Sequence, residues 1–146
     1  NAQIASFYPG AMAHAAELSF REVEPPALVV ISPNDPAAMT AYASECRELG
    51  LPYLYDPSQQ VLRLEGEELL RDMQGARFLF VNDYEYGLIE KKTGLGLPGI
   101  LDLVKVLVVT RGEHGASIYA GGEEISVPVF PPERALDPTG VGDAFR

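Results

Sequence analysis

The chain has 146 residues, of which 47% are hydrophobic and 22% charged, and its formal net charge is −10. Those values suit one globular unit and argue against a nucleic-acid surface, which needs clustered Lys and Arg. No apolar run approaches the roughly 20 residues needed to span a bilayer, so no membrane partner is expected, and the single cysteine, Cys46, fits a reducing cytoplasm.

Ala11 to Leu18, near the start, is helical in composition. Ala27-Leu-Val-Val-Ile31 is the first clear buried strand, and Pro52-Tyr-Leu-Tyr-Asp56 the second, about 25 residues on, a spacing that leaves room for one crossover helix. That helix starts at Asp35-Pro36, where Asp35 can cap and Pro36 suits the first turn. It carries an apolar stripe of Met39, Ala43, Cys46 and Leu49 and ends at Gly50. Glu67 to Gln74 reads as a shorter helix closed by Gly75. Arg77-Phe-Leu-Phe-Val81 is the third strand. Tyr84 to Lys92 is a helix capped by Asn82 or Asp83 and stopped at Gly94, and Leu97 to Lys105 is a further helical segment. Val106-Leu-Val-Val-Thr110 is the fourth strand. The first, third and fourth strands show little polar alternation, as strands covered on both faces do.

The order βαβαβαβ implies an α/β fold: a doubly wound, mainly parallel sheet with helices on both faces. After Thr110 the pattern changes. Ala116–Tyr119 and Glu124–Val127 flank Gly121-Gly122, which predicts an antiparallel hairpin near the C-terminal end. A Pro-rich link, 128–138, follows. The chain opens at Asn1 in what reads as a strand and stops at Arg146 in what reads as a helix. The expectation is therefore a partial domain across 1–146, with a strand at 1–10 and an α/β core at 27–146, both domain ends being absent.

Chemistry concentrates in Asp137-Pro-Thr-Gly-Val-Gly-Asp143. Two glycines in a turn before a helix allow close approach of a ligand, and successive N–H groups there form an anion nest beside the Asp143 carboxylate. By itself the loop is equally a glycine-rich helix cap. It lacks the Gly-Lys-Ser/Thr ending of a Walker A loop and the third glycine of a dinucleotide fingerprint. His14 and His114 read as surface residues, and one Cys with two distant His gives no zinc spacing.

The loop closely resembles the signature of the ribokinase-like family, the phosphofructokinase-B carbohydrate kinases, with Val141 in place of the usual Ala. Two further elements resemble the family in order and spacing: Asn82-Asp-Tyr-Glu85 after the third strand, and Thr110-Arg-Gly-Glu-His-Gly115 after the fourth. The resemblance implies an ATP-dependent kinase acting on a hydroxyl of a sugar or nucleoside, nearest to adenosine-kinase-like members. It implies Asp143 as catalytic base and Gly140, Val141 and Gly142 as anion hole. It assigns Thr110, Gly112 and Gly115 to the nucleotide, Asn82 and Glu85 to a Mg²⁺–phosphate network, and Asp137 and Thr139 to a monovalent cation such as K⁺. Asp56-Pro57 resembles a strand-end element on the phosphate side of the cleft. The run at 1–10 resembles a lid strand, through which full-length members could form a homodimer.

Taken without the resemblance, Asn82 to Glu85 is a helix cap and 110–115 a plain turn. The rival reading is non-catalytic: a kinase-derived fragment that no longer turns over or, by fold and length, a doubly wound nucleotide- or phosphate-binding module such as a phospho-acceptor receiver domain. A receiver domain would want an acceptor Asp after the third strand and leaves the Asp137–Asp143 loop unexplained.

Overall fold

A computed structural model describes residues 8–130 and 140–145. The sequence-based expectations for residues 1–7, for the link at 131–138 and for Asp137 and Thr139 lie outside the described residues.

Short runs of branched and aromatic residues form β1 (Val29–Ile31), β2 (Tyr53–Tyr55), β3 (Phe78–Asn82) and β4 (Val106–Thr110), joined by β5 (Ala116–Ala120) and β6 (Glu123–Val127). All six make one sheet in the order β1-β2-β3-β4-β5-β6. The first four are parallel and the last two antiparallel. The register sets Asn82 beside Thr110, so β3 and β4 end at the same level. Gly121 and Gly122, at φ 59° and 84°, make the hairpin turn expected between the last two strands.

Three crossovers, the last with two helices, connect the parallel strands. In α1 (Pro36–Leu49), Asp35 Oδ1 accepts from the N–H groups of Ala37 and Ala38, and Gly50 closes the helix at φ 67°. In α2 (Gly66–Met73), Glu65 and Glu68 form a reciprocal capping box. α3 (Asp83–Thr93) follows β3 without a break, and α4 (Leu97–Leu103) leads into β4. The expected helix at 11–18 is instead a 3-10 helix over Gly10–Glu17. It packs on α1 through Ala15, whose carbonyl accepts a hydrogen bond from the Tyr42 hydroxyl. β1 begins two residues later than the apolar run, since its partner β2 offers only three residues to pair with.

Alternate strand residues divide the two faces of the sheet. Val29, Ile31, Tyr53, Tyr55, Leu79, Val81, Leu107 and Val109 join Met39, Ala43, Cys46, Leu69, Met73 and Ile89 in one core. Sequential strand order with right-handed crossovers places α1, α2 and α3 together on this face. Complete burial of a side chain such as Leu79 contributes about 1.5–3 kcal/mol. The opposite face carries Val30, Leu54, Phe78, Phe80, Val106 and Val108. There α5 (Val141–Phe145) approaches, with the Phe145 ring centroid 6.3 Å from that of Phe80. The crossover helices thus lie on the first face, and the short α5 approaches the second.

One polar group is sealed inside the helix-covered face. Asp72, on α2, is fully buried. Its Oδ2 accepts from Thr40 Oγ1 at 2.7 Å and from the Tyr55 hydroxyl at 3.3 Å, while Oδ1 has no hydrogen-bond partner. Burial pushes the Asp72 carboxyl above the usual carboxylate range, against the pull of Thr40, Arg71 and Tyr55. Burial likewise raises the Cys46 thiol to about 11, which makes it an inert core residue. Among the described residues no helix is long and apolar enough to cross a membrane.

Candidate active site

The C-terminal ends of β1 to β4 point to the same rim of the sheet, the edge at which open α/β folds bind ligands. Within that rim lies a cavity of about 90 Å³ lined by Asp56, Ser58, Phe80, Val81, Asn82, Glu85, Thr110, Gly142, Asp143 and Phe145. Residues far apart in the chain, from Asp56 to Phe145, thus meet around one space, because parallel strands deliver their ends together and α5 packs beside them.

Each part is positioned by local physics. Asn82 terminates β3 in extended conformation and caps α3: its Oδ1 accepts from the Glu85 N–H at 2.8 Å, and Glu85 Oε2 accepts from the Asn82 N–H at 2.8 Å. The capping role expected of Asn82 is therefore real, and it holds the Glu85 carboxylate against the cavity wall. Thr110 ends β4, hydrogen-bonded across to β3 and β5. Asp56 follows β2, is buried, and is tied to β1 by its N–H donating to the Ile31 carbonyl at 2.9 Å. Gly140, at φ 79°, turns the chain into α5, and its carbonyl accepts from the Ala144 N–H at 2.9 Å. That turn presents Gly142 and Asp143 to the cavity.

Of the residues singled out from sequence, Asp143, Gly142, Asn82, Glu85 and Thr110 line this cavity, and so does Asp56. Gly112, Gly115, Gly140 and Val141 do not; they shape the turns on either side. Gly112 at φ 55° and Gly115 at φ 81° fold the link from β4 to β5, and a Cβ on Gly115 would stand 2.1 Å from the Val127 carbonyl oxygen. His14 and His114 are exposed, each beside a glutamate. Sequence reasoning missed Ser58, which lines the cavity at φ 41° and is the sole non-glycine with positive φ among the described residues. A serine just past Asp56-Pro57 is the only signal that could have found it. It also missed Phe80 and Phe145, which look like ordinary core aromatics in a sequence.

The electrostatics are one-sided. Three carboxylates, Asp56, Glu85 and Asp143, line the cavity, and no Lys or Arg does so among the described residues. A polyphosphate entering here meets net repulsion unless a cation accompanies it. The described carboxylates do not cluster closely enough to cage a metal directly. This donor set fits a Mg²⁺ ion, which keeps most of its water and touches few protein groups.

Comparison with known proteins identifies the lineage. The pfkB family of carbohydrate kinases matches residues 1–146. The chain belongs to that family. A nucleoside kinase of Methanocaldococcus jannaschii is 30% identical over 150 residues, covering all of this chain and 48% of that protein. A nucleoside kinase of Burkholderia thailandensis, solved in complex with ADP-inosine, superposes with a TM-score of 0.93 at 36% identity, over 99% of this chain and 46% of that one. The solved M. jannaschii enzyme, an archaeal member of the ribokinase family, gives a TM-score of 0.92 at 29% identity. The chain spans about half the length of these pfkB relatives. Its sheet, mainly parallel with an antiparallel C-terminal hairpin, is the ribokinase fold.

Proposed function

We propose that the full-length enzyme transfers the γ-phosphoryl group of ATP to a hydroxyl of a nucleoside, with sugars as the wider acceptor class. The meeting of Asp143 with Asn82, Glu85 and Thr110 in one cavity carries this reading. The nucleoside kinases among the relatives support the acceptor class.

In this mechanism Asp143 takes the proton of the acceptor hydroxyl as its oxygen attacks the γ-phosphorus. The bond to the β–γ bridging oxygen breaks, and ADP leaves. The N–H groups of Gly140, Val141 and Gly142 offset charge on the transferring group, and Thr110, Gly112 and Gly115 border the nucleotide. When bound, Mg²⁺ supplies charge neutralisation at the phosphates. Asn82 and Glu85 would hold it through its water shell, and the capping box fixes both side chains for that task. Asp137 and Thr139 are assigned to a K⁺ site on family resemblance alone. On the same ground any homodimer would form through the lid, while the single cysteine supports a reducing cytoplasm.

The decisive test is Asp143→Asn in the full-length protein. Turnover should fall about 10²–10⁴-fold, the usual contribution of a positioned general base. ATP binding, followed by calorimetry, should stay within a few-fold of wild type. Turnover near wild type with inosine, adenosine, cytidine and ribose alike would falsify the base assignment.

A further inference from the structure

The rim of the sheet opposite the candidate active site holds a cavity of about 510 Å³, where the links leading into β2, β3 and β4 meet. Each link contributes a cation. Arg47 comes from the last turn of α1, Arg77 stands just before β3, and Lys105 stands just before β4. No Asp or Glu lines this cavity among the described residues. That lining runs against the chain as a whole, which carries 21 Asp and Glu and only 11 Lys and Arg. The acids nearest in sequence do not supply the balance: Glu48 pairs with Arg21 at 2.7 Å, and Asp102 does not line the cavity.

The three cations differ in what holds them. Arg47 serves the fold. Its Nη1 donates to the carbonyls of Arg71 at 2.9 Å and Gln74 at 3.4 Å, which closes the end of α2. Arg77 lies over the Phe78 ring, 5.6 Å from the centroid, and has no carboxylate partner among the described residues. The Lys105 ammonium has no hydrogen-bond or ion-pair partner among them. Register sharpens the problem. Phe78 pairs with Val106, so Arg77 and Lys105 stand at one level on neighbouring strands, whose backbones run about 4.8 Å apart. Like charges side by side on adjacent strands repel, and Arg47 in the same cavity adds to that repulsion. An anion between them converts it into attraction.

A phosphoryl group suits these cations. It carries nearly two charges where a carboxylate carries one. The planar Arg77 guanidinium can grip two of its oxygens, and the Lys105 ammonium adds a point charge on a flexible stem. The cavity has the size of a small-molecule site, and Leu51 and Pro52 give it an apolar wall for an organic body.

We infer that this rim is an anion site, in which Arg77 and Lys105, with Arg47 beside them, hold the phosphate of a small molecule, free or attached to an organic body. The site is separate from the catalytic cavity. β3 and β4 run from Arg77 and Lys105 to Asn82 and Thr110, a span of about 17 Å. The kinase reading neither requires this site nor fails with it.

The test is calorimetry on the full-length protein with a non-hydrolysable ATP analogue and Mg²⁺ present, so that the catalytic cavity is filled. The probes are inorganic phosphate and inosine 5′-monophosphate. One phosphate group should bind per chain. Lys105→Gln should weaken that binding about 10-fold, Lys105→Glu should remove it, and Lys105→Arg should keep it within about three-fold. In phosphate-free buffer the Tm of Lys105→Gln should stay within about 3 °C of wild type. Tighter binding of the monophosphate than of phosphate would identify an organic phosphate as the ligand, and equal affinity would identify the free ion. Absence of binding by either probe would overturn the inference, as would binding that is unchanged in Lys105→Gln and Lys105→Glu. So would binding that disappears when the ATP analogue is added, because the phosphate would then belong to the catalytic cavity. A larger fall in Tm for Lys105→Gln without phosphate would also overturn it, by showing that this cation serves the fold.

Discussion

Two groups of acids in this fold sit in opposite circumstances. Asp72 lies under the helix-covered face, sealed by α1, α2 and β2, with Thr40 and Tyr55 both donating to one of its oxygens. Asp56, Glu85 and Asp143 gather around a space at the strand ends, and no basic residue lines that space among the described ones. The first arrangement spends a carboxylate on holding elements together. The second collects negative charge where only a ligand with its own cation would profit from it. Burial alone does not separate them, because Asp56 is buried too. What separates them is whether the carboxylates face packed side chains or a shared void.

The rim of the open region rests on backbone shape more than on packed side chains, and Gly115 exposes that dependence most strongly. Gly115→Ala would put a Cβ 2.1 Å from the Val127 carbonyl oxygen at φ 81°, so the β4–β5 link must move. The expected loss is about 3 kcal/mol or more, read as a fall in Tm, together with weaker nucleotide binding. Gly112→Ala meets nothing within 4 Å and carries only the left-handed penalty of about 1–2 kcal/mol. Equal losses for the two variants would show that close packing is not what fixes this turn.

Asn82 belongs to both kinds of region, being a cap and a cavity residue. Asn82→Ala should cost about 1 kcal/mol through the lost cap on α3. Asn82→Asp keeps an acceptor for the Glu85 N–H and should restore most of that stability. It also adds a fourth carboxylate to the cavity, so the Mg²⁺ concentration needed for half-maximal turnover should change. A variant stable as wild type with unchanged Mg²⁺ dependence would leave Asn82 a cap and nothing more.

How far the sequence foretells these regions follows from the range of the forces involved. Helix ends were readable because caps are local: Asp35-Pro36, Asn82 and the glycines at 50 and 94 all act within a few residues of themselves. The parallel pairing of the core strands was readable from their alternation with helices, and the three motifs marked one rim because parallel strands share an end. Ser58 was not readable, since nothing in the run Pro57-Ser-Gln59 announces a positive φ at a non-glycine residue. Asp72 was not readable either. On α2 it looks like one more surface acid, and only the arrival of Thr40 and Tyr55 from other elements buries it. The same limit applies to the 3-10 winding of Gly10–Glu17, whose composition favours an α-helix.

The Asp72 cluster yields the smallest effect and the one most specific to burial. Its folded-state carboxyl is raised by desolvation. The neighbouring groups are the hydroxyls of Thr40, Tyr53 and Tyr55 and the cations Arg47 and Arg71, with Glu68 adding negative charge near Tyr55. The tyrosine hydroxyls are themselves pushed upward by burial, so they do not titrate near neutral pH. A raised folded value means that the stability linked to Asp72 is fully present below the usual carboxylate range and is lost as pH rises through the folded value. Asp72→Asn keeps the shape and the acceptor oxygen for Thr40 but cannot ionise. Its Tm relative to wild type should therefore be most favourable at pH 7 and move against the variant by about 2 °C as pH falls toward 4. A Tm difference that stays flat across that window would mean that Asp72 titrates alike in the folded and unfolded chain, and its sealed position would then carry no electrostatic cost.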